Sequence, residues 1–107
     1  MNKSQLYYFT HKVHKKLEDP NTTVKFMRWP GTDGAYWHDT KVLGLTPNGE
    51  VISTLIHEML HCFHPFWTEK KVVRYERLII KMLSHKQLSK LTLALGRALM
   101  RTHYKKK

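Results

Sequence analysis

Residues 51–63, VISTLIHEMLHCF, are apolar on nearly every side of a helix. Val51, Ile52, Leu55, Ile56, Met59, Leu60, Cys62 and Phe63 leave no broad polar face, and a helix of that kind belongs in a core. The rest of the chain must fold around it. Within it stand His57, Glu58 and His61, polar groups where burial is expensive. An unpaired buried carboxylate costs several kcal/mol or takes up a proton. A divalent cation is the natural compensation.

The spacing supports a cation. Residues four apart lie one above the other on a helix, so the imidazoles of His57 and His61 can converge on one ion. Glu58, one step round the helix, misses the ion yet can reach a water beside it. In HExxH segments the histidines are ligands and the glutamate is a general base. With 8 His in 107 residues, the pattern arises by chance roughly 0.03 times per chain. The competing reading is a metal-free pair of core histidines hydrogen-bonded to Glu58. A closed structural zinc site needs four ligands, usually thiolates, and Cys62, the single cysteine, points about 100° away from His61. Three protein ligands with an open position are therefore expected, with zinc as the metal.

His64, Glu69 and Glu76 are the candidates for third ligand. His64 continues the same helix and would surround an ion poorly with the other two. The turn His64–Trp67 is short, so the next helix should fold back antiparallel, with Glu69 and Glu76 two turns apart on one face. Glu69 is the expected ligand, and Glu76 the partner of a ligand histidine or the alternative ligand. Tyr75, His64 and His85 are candidate donors to an oxyanion.

The remaining elements follow from period and punctuation. Residues 4–18 read as an amphipathic helix on Leu6, Phe9, Val13 and Leu17, ended by Asp19-Pro20-Asn21. Residues 22–29 and 35–45 read as two strands around the turn cluster Pro30–Gly34, pairing as an antiparallel hairpin or small sheet. Thr46 is the expected N-cap of the apolar helix, with Pro47 in its first turn. Thr68 is the expected cap of a helix from Glu69 to about Leu83, with Val72, Val73 and Ile80 inward. A last helix, Gln87 to Met100, carries Leu88, Leu91, Leu95, Ala98 and Leu99, and the Lys105–Lys107 tail should fray. The expected fold is α+β, a single domain over 1–107.

Charge is uneven. Residues 1–69 hold 7 Lys+Arg and 7 Asp+Glu; residues 70–107 hold 12 Lys+Arg and one acid, Glu76, so the +11 excess sits in the C-terminal third. Basic helices are often only solvated faces, but Lys86, Lys90, Arg97 and Arg101 are candidate nucleic-acid contacts. A nucleic-acid-binding protein with a structural or non-catalytic zinc is the alternative to an enzyme. No apolar run approaches the ~20 residues of a membrane span. With no signal-peptide pattern and one cysteine, a cytoplasmic monomer is expected.

The stretch Glu50–Ile56 leading into His57-Glu58-Met59-Leu60-His61, a strand ending near Leu45, and the acidic helix opened by Thr68-Glu69 together resemble the zincin metallopeptidases. Within them the chain resembles the compact SprT-like and gluzincin-like minimal domains of phage or bacterial type. The resemblance covers about Gly34 to Leu83. It implies peptide hydrolysis at zinc, an extended protein or peptide substrate docked along an edge strand at Trp37–Leu45, and, from the SprT side, substrates associated with nucleic acid. SprT-like proteins take a third histidine well downstream, for which His85 is the nearest later histidine here; a glutamate ligand is more like the gluzincins.

Overall fold

A computed structural model describes residues 1–27, 34–46 and 50–105. Among the described residues there are four helices and a three-stranded mixed sheet. Helix α1 spans Lys3–Glu18, strand β1 Thr23–Phe26, β2 Gly34–Trp37 and β3 Val42–Leu45. Helices α2, α3 and α4 then run over Val51–Phe63, Glu69–Met82 and His85–Lys105. The class is α+β, as the periodicities predict.

Local chemistry explains the helix starts. Asn2 and Gln5 exchange side-chain-to-backbone hydrogen bonds of 2.8 and 2.9 Å at the start of α1, a reciprocal cap that satisfies two orphan amides. Ser84 and Gln87 do the same before α4, at 3.0 and 3.1 Å. Thr68 Oγ1 accepts from the Lys71 amide at 3.2 Å and opens α3. The expected Thr46 cap of α2 is a correction. Leu45 is held in the sheet, its carbonyl accepting from the Met27 amide at 2.8 Å, and α2 begins only at Val51. The N-cap position is Glu50, and Pro47 lies outside the described residues.

The sheet departs from the expected pairing. Its order is β1-β3-β2, with β1 parallel to β3 and β2 antiparallel to it. The hairpin is therefore β2–β3, not the first two strands. The stretch read as one strand over 35–45 is broken by a turn at His38–Lys41, where Lys41 takes φ 53°. Val42–Leu45 becomes the central strand, and only Gly34–Trp37 of that hairpin stands at a margin of the sheet. Arg28 and Trp29, expected at the end of the first strand, the turn residues Pro30–Asp33, and the tail residues Lys106 and Lys107 lie outside the described residues.

One apolar cluster joins the elements. Leu6, Phe9, Val13 and Leu17 of α1 meet Leu91, Ala94, Leu95 and Ala98 of α4, while Leu55, Ile56, Met59 and Leu60 of α2 meet the sheet and α3. On α3 the buried residues are Val72 and Ile79, whereas Ile80 is exposed. The inward face thus runs through Val72, Tyr75 and Ile79 rather than Val73 and Ile80, because α3 leans on α2 by that side. Leu88, expected in the α4 stripe, is also exposed.

Arg101 belongs to this frame. Its Nη2 donates to the carbonyls of Leu17 at 2.8 Å and Asp19 at 3.2 Å, carbonyls that the end of α1 leaves without helical partners. A nearby bond joins the Val24 amide of β1 to Thr102 Oγ1. Arg101, a candidate nucleic-acid contact in the sequence, thus makes hydrogen bonds within the frame itself. Hydrogen bonds to a charged donor contribute about 1.5–3 kcal/mol. Arg101→Met should lower the unfolding free energy by about that amount in urea titration, and an unchanged midpoint would show that these bonds add nothing.

Candidate metal centre

The short turn after α2 brings α3 back along it, and two carboxylates of α3 meet the histidines of α2. Glu69 Oε1 lies 2.6 Å from His57 Nε2, and its Oε2 lies 2.9 Å from His61 Nε2. Glu76 Oε1 lies 2.6 Å from His57 Nδ1. The other oxygen of Glu76 accepts from Ser53 Oγ at 2.6 Å. Glu69 and Glu76 are thus divided in their contacts: Glu69 reaches the Nε2 atoms of both histidines, and Glu76 holds the far nitrogen of one.

Nitrogen His57 Nδ1 must carry its proton to donate to Glu76, which leaves Nε2 to face Glu69. The His61 Nε2 atom faces the same carboxylate. Two ring nitrogens and a carboxylate directed at one point need positive charge between them, supplied by protons or by a cation. His57, His61 and Glu69 each offer a donor atom within 4.8 Å of the others, close enough to bind a metal ion. Donors around one tetrahedral ion at about 2.0–2.1 Å stand roughly 3.3 Å apart, a little wider than the direct contacts of 2.6 and 2.9 Å that Glu69 makes here.

The electrostatics fit the geometry. Burial works against charge on His57, but the hydrogen bond to Glu76 and the carboxylates of Glu69, Glu58 and Glu76 outweigh it and raise its pKa. Glu58 behaves differently. Burial pushes its pKa above the usual carboxylate range, His57 and His61 pull it down, and Glu69 and Glu76 push it up again. Glu58 lies beside the sheet. A Cβ built on Gly34 of β2 would come within 3.5 Å of Glu58 Cγ, 2.7 Å of Thr54 Cγ2 and 2.9 Å of the Gly44 carbonyl. The missing side chain of Gly34 lets β2 lie close against α2 beside this carboxylate.

Cys62 turns away from the cluster, toward Tyr36 of β2 and Lys16 of α1; burial raises its pKa, while Lys16 and the Tyr36 hydrogen bond oppose the rise. His64 and Tyr75 flank Trp67 in an aromatic cluster: the His64 and Trp67 rings stack at 3.9 Å, and Trp67 meets Tyr75 at 4.8 Å. These residues line a groove of about 420 Å³ against α1. Burial, with Lys12 and Lys71, lowers the pKa of His64. His85 is exposed at the first residue of α4. A separate cleft of about 1060 Å³ runs along α3, with Ser53, Glu69 and Glu76 on its wall.

Two residues of the centre escaped the sequence reading. Ser53 stands one helical turn before His57, and that spacing is the only hint of its role. Gly34 reads as a turn glycine until the packing of β2 on α2 is known. Comparison with family models, with curated proteins and with solved structures finds no match.

Proposed function

We propose that the chain is a zinc-dependent metallopeptidase of zincin type, with His57, His61 and Glu69 as metal ligands and Glu58 as general base. The observation that carries the reading is the convergence of two imidazoles and one carboxylate at a single point, with a second carboxylate beside it. A glutamate as third donor favours the gluzincin-like variant over a SprT-like one. A zinc ion held by His57, His61 and Glu69 would supply Lewis acidity toward water and the scissile carbonyl.

The chain's own residues do the rest. Glu76, steadied by Ser53, fixes the tautomer of His57 and presents Nε2 to the site. Glu58 accepts a proton from the attacking water and delivers it to the leaving amine. An extended peptide would lie between β2, the marginal strand beside α2, and the cleft along α3, where main-chain pairing to a strand gives affinity and side-chain pockets give selectivity.

Metal titration tests the ligand set. The purified chain should hold about one zinc and cleave an unstructured protein, lose that activity to a chelator, and regain it with added zinc. Glu69→Ala should weaken zinc more than Glu76→Ala, whose partner role is worth about 10–100-fold. If Glu76→Ala is the more damaging, the two glutamates exchange roles. Activity that survives complete removal of metal would refute the proposal.

A further inference from the structure

On the far side of α1 from the aromatic cluster, α1 and α4 enclose a second groove of about 310 Å³. Tyr7, His11 and His14 form one wall and Lys90, Leu93 and Arg97 the other. Each set recurs at helical spacing, so each is a continuous stripe along its helix. Tyr7 is 68% exposed and Leu93 59%. The rings of Tyr7 and His11 are parallel to within 9°, with centroids 6.2 Å apart. The lining residues include no carboxylate; Glu18 touches the rim through His14 Nε2 at 2.9 Å.

We propose that this groove binds single-stranded nucleic acid, with bases stacked on Tyr7 and His11 and phosphates held by Lys90 and Arg97. Charge complementarity selects the class of partner, because α4, which forms this wall, carries five Lys and Arg and no Asp or Glu over residues 85–105. The aromatic wall selects single strands. Every unpaired base offers a π-face, whereas a duplex hides its faces within the stack. A concave groove with parallel rings suits a strand better than a lipid surface, which takes a convex apolar face. Lys86 continues the α4 stripe one turn before Lys90, so the site extends beyond the groove itself. This proposal does not depend on the metal centre.

The experiment is fluorescence anisotropy of a labelled oligothymidylate of about a dozen nucleotides, titrated with the full chain across a salt series. Wild type should bind, more weakly as salt rises. Tyr7→Ala should weaken binding on the order of tenfold with its salt slope unchanged, because base stacking carries no counterion release. Replacing Lys90 and Arg97 together by alanine should reduce the log–log slope by about 1.4, from about 0.7 per lost phosphate contact on a single strand. The three side chains lie at the surface, and circular dichroism of each variant checks that the fold persists. Leu93→Glu, which sets a carboxylate into the same groove, should weaken binding independently of Tyr7. No binding at low salt would overturn the proposal. So would equal affinity of Tyr7→Ala and wild type, equal binding of a duplex, or equal competition by anionic vesicles.

Discussion

Glu58→Gln is expected to keep the fold and the zinc and to lose peptide hydrolysis by about 10²–10⁴-fold. The amide is nearly isosteric with the carboxylate, so the approach of β2 at Gly34 to Glu58 Cγ and Thr54 survives the change. The neighbours that hold α2 in place, Leu55, Ile56, Met59 and Leu60, are buried and untouched. What the amide lacks is a basic oxygen that can take a proton at neutral pH. Glu69, which meets both histidines, is untouched by the change, so zinc content should match wild type. The assay is hydrolysis of an unstructured protein by wild type, Glu58→Gln and chelated wild type side by side. Equal rates for wild type and Glu58→Gln would eliminate the general-base role.

The starts of α1 and α3 were legible because their causes are local, whereas α2 begins at Val51 rather than after Thr46 and α4 spans His85–Lys105 rather than Gln87–Met100. Thr68 caps α3 as its sequence suggests, and the apolar spacing of Leu6, Phe9, Val13 and Leu17 marks the buried side of α1. His57 and His61 share a face for the same local reason. Pairing in the sheet has a different origin. The parallel match of Val24 with Leu43 is made by the intervening chain's return, and no property of residues 23–26 alone distinguishes it from a hairpin. The turn at His38–Lys41 contains no glycine or proline, and its positive φ falls on a lysine, so the break within 35–45 carries little signal. On α3 the adjacent Ile79 and Ile80 offer two registers, and only the lean of α3 on α2 decides that Ile79 is buried.

The centre divides along the same line. Its histidines are set by one helix, whereas its carboxylates depend on how the next helix returns. Three side chains after the motif were open as partners, and the antiparallel return brings Glu69 to both Nε2 atoms and Glu76 to Nδ1. His64, immediately after α2, instead stacks on Trp67. Arg101 shows the same dependence on distant chain. As a basic residue on a basic helix it is indistinguishable from Arg97 in sequence, yet it reaches the carbonyls at the end of α1, a contact between distant parts of the chain that periodicity cannot reveal.

His57→Ala and His61→Ala together should abolish tight zinc binding, and each alone should cost more than the about 10–100-fold typical of residues that only orient a ligand. Both Nε2 atoms face Glu69, so deleting either ring removes a donor and leaves the remaining pair too few to enclose an ion in a three-ligand site. His64→Ala and His85→Ala should retain full zinc, because their side chains lie in the aromatic cluster and at the start of α4. The fold should outlast the metal. The apolar face of α2 is buried by the sheet and α3 without help from the histidines, whereas a site that holds a fold together unfolds it on chelation. Helical circular dichroism before and after chelation separates the two cases: persistence supports a catalytic centre, and collapse supports a structural one. Full zinc in the double variant would remove His57 and His61 from the site.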